Sequence, residues 1–177
     1  AQHAMIGQSS YGADDTLAKL LITVGDDTTN FLAFKRNNTN IGRLFIGGTN
    51  LLLGNLESGT LGDGSVGIGR NLQTGANSTA VGSSTNASGE KAVAVGSSVT
   101  ASGANAIAIG NTATGSGTSS ISLGASSIAS ATNSIAIGDN AKVEDLSTTI
   151  LSNGAIAIGQ GAQAKAERAI AIGNRTY

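Results

Sequence analysis

From Val66 onward, large aliphatic residues alternate with very small ones in short runs that each end at a glycine, as in Ile107-Ala108-Ile109-Gly110. The closing glycines are Gly69, Gly82, Gly96, Gly110, Gly124, Gly138, Gly159 and Gly173. Their successive spacings are 13, 14, 14, 14, 14, 21 and 14 residues, so the long interval is one period plus a seven-residue insertion. Self-similarity at a fixed period predicts a solenoid whose coils stack on one another.

Each run has the period of two that a β-strand requires. Isoleucine, valine or leucine stands one residue before the closing glycine in every copy, and three residues before it in every copy except the one with Thr79. Glycine, alanine or serine stands between them. Successive strand side chains point to opposite faces, so the pattern predicts a strand with one large and one small face. The β-branched residues and the closing glycine disfavour a helix.

A weaker alternation fills the second half of each period, as at Val99 and Ala101. It predicts a second short strand, so each coil should contain two strands joined by tight turns. We expect the large residues of the first strand to fill the thin interior of the coil. Its small face lacks the threonine, lysine or glutamate of a solvated strand, which suggests that another backbone approaches closely.

The small face is therefore the predicted subunit interface. Its candidate residues are Ala80, Ala94, Ala108, Ala136, Ala157 and Ala171. The alternative is a monomeric solenoid whose small residues face solvent.

Residues 133–138, 105–110 and 77–82 resemble the head repeats of YadA-type trimeric autotransporter adhesins. The resemblance covers about residues 64–175. It implies a left-handed parallel β-roll with three chains side by side on the surface of a Gram-negative bacterium. The predicted fold class is therefore an all-β solenoid with coils of about 14 residues, assembled as a parallel homotrimer with an N-terminal β cap.

Residues 1–60 differ from the repeats, because all three phenylalanines of the chain lie there. Strands are predicted at residues 17–24, 30–35, 41–46 and 50–53. Since the end of a solenoid exposes an unpaired edge and an open core, we expect this region to be a cap. The alternative is a ligand-binding tip.

The repeats fill residues 61–177, with the insertion around 145–153. The insertion carries Leu146, Ile150 and Leu151, which we expect to pack on a neighbouring chain; a binding loop is the alternative. We also expect the chain to be a fragment whose leader, stalk and membrane anchor lie outside it.

Side chains that commonly serve in catalysis are scarce in this sequence. His3 is the single histidine, and cysteine is absent. The acidic pairs at residues 14–15 and 26–27 lack the spacing of a calcium loop, and the G-x-G-x-x-G match at residues 62–67 precedes no predicted helix. We predict no enzyme and no catalytic, cofactor-binding or metal-ligating residue. The net charge of −1 and the lack of a basic run argue against nucleic acid as a partner and against direct membrane contact.

The resemblance implies a bacterial surface adhesin head, held at the outer membrane through a region outside these residues. The family's repeats are associated with binding collagen and other matrix proteins, so collagen, laminin, fibronectin or a cell-surface receptor are the expected partners. Carried over by position, the candidate ligand-binding residues are Asn77, Lys91, Asn105, Asn133, Ser134 and Arg168. Lysine and arginine replace the family's asparagine at two of these positions.

Two other functions remain open at this point. One is a segment of a phage or secreted trimeric fibre with a receptor-binding or spacer role. The other is an ice- or polysaccharide-binding solenoid, which would need a flat ladder of threonines in every coil, whereas the threonines of this chain are scattered.

Overall fold

The computed structural model describes residues 19–23, 31–36, 39–47, 50–55, 60–144 and 152–177, with side chains from residue 50 onward except at 54 and 55. His3, both acidic pairs and most of the insertion lie outside the described residues. Within them the regular elements are all β-strands, and no helix occurs. The predicted all-β class is confirmed.

The first described strands form an antiparallel meander. Its strands are β1 (Lys19–Thr23), β2 (Phe31–Arg36), β3 (Thr39–Gly47) and β4 (Asn50–Asn55), with a register shift between Phe34 and Lys35. They match the four predicted strands with ends that agree to within two residues. β4 then pairs in parallel with the first strand of the repeats, so the meander continues the same sheet. Its role as a cap stays a prediction.

Two strands per coil follow, as predicted. The first strands of the coils are β5 (Val66–Arg70), β7 (Thr79–Ser83), β9 (Val93–Ser97), β11 (Ile107–Asn111), β13 (Ile121–Leu123), β15 (Ile135–Ile137), β17 (Ile156–Ile158) and β19 (Ile170–Ile172). The second strands are β6 (Gln73–Thr74), β8 (Asn86–Ala87), β10 (Thr100–Ala101), β12 (Thr114–Gly115), β14 (Ile128–Ala129), β16 (Lys142–Val143) and β18 (Gln163–Ala164).

The strands of successive coils pair in parallel and form two sheets. In the described residues, β1 to β4 and the first strands form a long sheet of 12 strands, and the second strands form a short sheet of 7. The pairing is in register, so that Ala108 lies between Ala94 and Ser122 and equal positions form columns along the rod. The solenoid prediction is confirmed.

The insertion leaves the stack unbroken. Ile135 pairs directly with Ile156, and Lys142 pairs directly with Gln163. The coils before and after the insertion are therefore neighbours, and the extra residues add no coil. The predicted packing of the insertion lies outside the described residues.

The prediction that the large residues of the first strands fill the interior of the coil is wrong. The small middle residues face the interior of the coil: Ala80, Ala94, Ala108, Ala136 and Ala157 are fully buried within one chain, and Ala171 is 6% exposed. The large neighbours point outward, with Ile107 36% and Leu123 39% exposed. The alanines have no surface left for another subunit, so their assignment as interface residues is also wrong.

The width of the coil explains this orientation. A methyl group placed on Gly115 in the short sheet would lie 3.6 Å from Cβ of Ala108 in the long sheet, which is van der Waals contact. Two facing methyl groups therefore fill the gap between the sheets. Leu72, Val99 and Val143 are the largest apolar side chains that lie fully inside the repeats. Two isoleucines per coil would push the sheets apart, and they point outward instead.

The closing glycines are required by conformation and by stacking. Gly96 has a φ of 139°, which other residues rarely adopt, and a Cβ there would overlap the carbonyl oxygen of Gly110 in the next coil. Each closing glycine thus allows the next coil to approach at strand spacing.

Replacing Ala108 with leucine should destabilise the chain by about 1–3 kcal/mol, because the added methylene groups overpack a gap that two methyl groups already fill. Thr114→Leu is the control, since Thr114 lies in the same coil but outward on the short sheet. Circular dichroism during thermal unfolding at equal concentrations measures the difference. Equal stability of the two variants would contradict the orientation described above.

Candidate binding surfaces

The repeats present four surfaces along the rod. Two are the outer faces of the long and the short sheet. The third, the first turn edge, contains the turns that lead into the long-sheet strands. The fourth, the second turn edge, contains the turns that follow the closing glycines. Within the described coils, a candidate site lies on one of these four surfaces, because the interior is filled with buried side chains.

The first turn edge is a ladder of left-handed residues. Its members, one per coil, are Gly64, Asn77, Lys91, Asn105, Ser119, Asn133, Gly154 and Arg168, and their φ angles lie between 55° and 70°. Each backbone N–H from Asn77 onward donates to a carbonyl oxygen of the preceding coil, for example Asn105 to Glu90 at 2.8 Å. Five of the six sequence-predicted ligand residues lie in this ladder, and all five are exposed.

The backbone conformation by itself favours asparagine here. Asparagine and glycine tolerate the left-handed region better than other residues, and the column contains three asparagines and two glycines. Asn77, Asn105 and Asn133 therefore have a structural role whatever else they do. The structure brings them into one line with Lys91 and Arg168, as a ligand site along this edge would require.

Ser134, the sixth candidate, does not belong to this surface. It is fully buried, and its hydroxyl donates a 2.6 Å hydrogen bond to the carbonyl oxygen of Ala131. The prediction that Ser134 contacts a ligand is wrong, because the residue after the left-handed turn points into the coil and satisfies the turn's own backbone.

The first turn edge carries little net charge. Lys91 lies 3.0 Å from Glu90, and Arg168 lies 3.7 Å from Glu167, both as exposed pairs. Residues 92–138 contain no charged side chain at all. The edge can offer amide and hydroxyl groups to a ligand, but it provides no basic stripe for a polyanion.

The second turn edge is a parallel ladder that sequence reasoning missed. Its left-handed residues are Asn71, Ser84, Ser98, Thr112, Ser126, Asn140, Gly161 and Arg175. The hydroxyls of Thr112 and Ser126 lie 3.1 Å apart in adjacent coils. The signal was the polar residue found two positions after nearly every closing glycine.

The outer face of the short sheet is largely polar. Its outward column consists of Gln73, Asn86, Thr100, Thr114, Ile128, Lys142 and Gln163, aligned by the strand register. Thr100 and Thr114 are the two threonines in this column of the described strands. An ice-binding ladder in every coil is therefore absent from this face.

The outer face of the long sheet is aliphatic. Two columns of half-buried or exposed side chains run along it; one contains Val66, Thr79, Val93, Ile107, Ile121, Ile135, Ile156 and Ile170, and the other contains Ile68, Val81, Val95, Ile109, Leu123, Ile137, Ile158 and Ile172. We call these columns the aliphatic face. Leu51 and Leu53 of β4 extend it by one strand, in register with Val66 and Ile68.

Contiguous apolar surface of this extent marks a site of interaction, because soluble monomers rarely expose it. The aliphatic face, and not the alanine column, is therefore the candidate interface. The signal was in the sequence: the same residues that defined the strand pattern are the exposed ones.

Two kinds of site considered from the sequence can be checked in the described residues. These residues contain no group of three or more histidine, cysteine or acidic residues that could hold a metal ion. The glycines at residues 62–67 lead into strand β5, whereas a dinucleotide site of this type needs a helix there. A search of the same residues found no helix with the length and hydropathy needed to cross a membrane.

Comparison with protein families gives one match. The model described as the YadA head domain repeat (2 copies) matches residues 74–98, 100–114, 116–141 and 152–176. Together these segments make up just over half of the chain and lie within the stacked coils. No curated protein matches the chain significantly.

Proposed function

The chain belongs to the family of YadA head domains, and on that premise we propose that it is the head of a trimeric autotransporter adhesin. In this proposal it attaches a bacterium to extracellular matrix or to host cells and catalyses no reaction. It lies at the cell surface, held by an outer-membrane anchor in a separate region of the adhesin. The aliphatic face is the observation that carries the proposal.

The assembly follows from where the apolar side chains lie. The interior of a coil holds only a few methyl groups and small side chains, so burial inside one chain contributes little per coil. The first strand of each coil adds two outward aliphatic side chains, except that β7 has Thr79 at one of the two positions, and these side chains are half-buried or exposed. Burying the remaining exposed area of these side chains against another copy stabilises the assembly by about 1 kcal/mol per side chain.

The proposed number of copies is three, in keeping with the trimeric autotransporter adhesins that the repeats resemble. The face is only two side chains wide but runs along the whole stack, from β4 to β19. Three such strips can meet along one axis parallel to the rod, with the columns of each copy packed between those of its neighbours. The polar outer face of the short sheet then points away from the axis, into solvent.

Replacing Ile109 with aspartate should break the trimer, because assembly would bury an unpaired carboxylate at the centre. Thr114→Asp is the matched control, since it places the same charge in the same coil on the outer face of the short sheet. Light scattering on a sizing column measures the mass; we expect about three times the 17.3 kDa chain for the unmodified protein and the control.

For Ile109→Asp we expect the mass of a monomer or an aggregated, unfolded chain. A trimer formed by Ile109→Asp as readily as by the control, or a monomeric unmodified protein, would contradict the proposed assembly.

The first turn edge is the proposed ligand surface. Its exposed ladder of Asn77, Lys91, Asn105, Asn133 and Arg168 stays outside the aliphatic face and runs along the rod. An extended matrix protein such as collagen, laminin or fibronectin could contact several coils in succession, and a cell-surface receptor is the alternative partner. Hydrogen bonds to amide groups would dominate, since the charges on this edge are paired.

The double variant Asn105→Gly/Asn133→Gly separates binding from folding. Glycine accepts the left-handed backbone, so the coil should fold while the two amide groups are lost. We expect binding to immobilised collagen, laminin or fibronectin to fall at least several-fold, with the trimer retained. The control is Ser84→Gly/Ser98→Gly, which makes the same backbone change on the second turn edge.

Equal binding by the two double variants would place the ligand surface elsewhere on the rod. No binding of the unmodified trimer to any of the three matrix proteins would rule out this class of ligand. A phage or secreted fibre would share the trimeric rod, but the match to YadA head repeats favours the autotransporter.

A further inference from the structure

One turn of the roll, counted from the short-sheet strand β12 to the residue before β14, has no apolar side chain in its interior. Its four inward positions are Gly115, Ser120, Ser122 and Ser127, and we call this turn the polar coil; the coils compared with it below are counted in the same way. The preceding coil has Ala101, Ala106, Ala108 and Ala113 at these positions, and the following coil has Ala129, Ser134, Ala136 and Ala141. The buried apolar residues accordingly form two clusters, one ending at Ala113 and the other starting at Ala129.

Two of the three serines in the polar coil are satisfied by hydrogen bonds. Ser127 donates to the carbonyl oxygen of Gly124 at 2.9 Å, and the hydroxyl of Ser122 lies 2.7 Å from that of Ser127. Ser120 is different. Its buried hydroxyl is the one buried side-chain polar atom of the described residues without a hydrogen-bond partner.

The serines at the equivalent position of other coils make a hydrogen bond that the hydroxyl of Ser120 does not make. Ser78 donates to the carbonyl oxygen of Gly75 at 3.0 Å, and Ser134 donates to that of Ala131 at 2.6 Å. Both bonds reach the residue three positions earlier, which for Ser120 is Gly117. The backbone N–H of Ser120 donates to the carbonyl oxygen of Gly117 at 3.2 Å, but the hydroxyl of Ser120 makes no hydrogen bond to it.

Gly115 explains the difference. A methyl group on Gly115 would lie 3.4 Å from the hydroxyl oxygen of Ser120, so that hydroxyl borders the space that alanine fills in the coils on either side. If Ser120 turned towards Gly117, it would gain a hydrogen bond but leave that space less filled. One arrangement leaves a buried polar group unsatisfied and the other leaves a void, and both destabilise the coil.

The exterior of the polar coil does not compensate for its interior. Ile121 and Leu123 continue the two columns of the aliphatic face, as Ile107 and Ile109 do one coil earlier. Contacts with another copy would therefore be similar for both coils. In a stacked array each coil interacts chiefly with its neighbours, so the coil with the weakest interior sets a local minimum of stability.

We propose that the polar coil is a joint at which the roll opens before its flanks do, dividing the repeats into two cooperative blocks. The first block ends at Ala113 and the second begins at Ala129. A rod with such a joint yields locally in its middle, whereas a uniform solenoid frays from its ends. The joint is a property of the roll's own stability and does not depend on the ligand.

Hydrogen exchange followed by mass spectrometry on the intact chain tests the proposal. We expect backbone amides of residues 116–127 to exchange at least about 10-fold faster than the equivalent amides one coil earlier and one coil later. Protection that rises smoothly from both ends to a maximum in the middle of the stack would overturn the proposal.

Ser120→Ala tests the cause, because it removes the unsatisfied hydroxyl and introduces the residue found in this column at positions 92 and 106. We expect exchange in the polar coil to slow by about 10-fold. The control is Ser134→Ala, one coil later, which removes a satisfied hydroxyl and should not slow exchange. Ser120→Ala/Ser122→Ala/Ser127→Ala gives this coil the small apolar interior of its neighbours and should abolish the minimum.

All of these changes make side chains smaller, and alanine already occupies the same columns in neighbouring coils, so we expect each variant to fold. No slowing in Ser120→Ala, or equal slowing in Ser134→Ala, would overturn the assigned cause. A minimum that persists unchanged in the triple variant would do the same.

Discussion

The gap between the two sheets is as wide as two facing methyl groups, and the rest of the architecture depends on it. Alanine, serine and glycine occupy most interior positions, with Leu72, Val99 and Val143 as single larger residues, because large residues do not fit there in pairs. The isoleucine and valine residues of the first strands must then point outward. A single chain therefore has its smallest side chains buried and many of its largest ones exposed, the reverse of an ordinary globular core.

This inversion connects folding to assembly. An interior of methyl groups contributes little hydrophobic stabilisation per coil, while the ordered backbone of about 14 residues costs considerable entropy. Burial of the aliphatic face by other copies supplies additional hydrophobic stabilisation that can offset this entropy cost. The same thin interior explains why three serines and a glycine in one coil matter: few other contacts inside that coil can compensate for them.

The strand pattern, the coil length and the placement of the insertion could be predicted from the sequence, because each depends on spacing along the chain. Which face of each first strand points into the coil could not be predicted. A period of two shows that Ile107 and Ile109 share one face and that Ala108 lies on the other, but it does not show which face is inside. That choice depends on the distance between the two sheets, which the turns and the closing glycines determine in three dimensions.

The candidate site was predictable in part for a similar reason. Asn77, Asn105 and Asn133 repeat at a fixed position of the period, and the structure places them in one column of left-handed residues. Ser134 follows an asparagine directly, but the chain turns inward there and buries it. The left-handed backbone at the three asparagines gives them a structural role that is separate from any ligand contact.

The central claim is that sister chains cover the aliphatic face, and thiol protection measures this most directly because the chain has no cysteine of its own. Ile107→Cys and Thr114→Cys place one thiol on each outer face of the same coil, and Ile107 is 36% exposed in a single chain. With the folded protein, a soluble thiol reagent should label the Thr114→Cys variant readily and the Ile107→Cys variant at least about 10-fold more slowly, because neighbouring copies shield that position. Equally rapid labelling at both positions would mean that the aliphatic face is open to solvent, and would contradict the account.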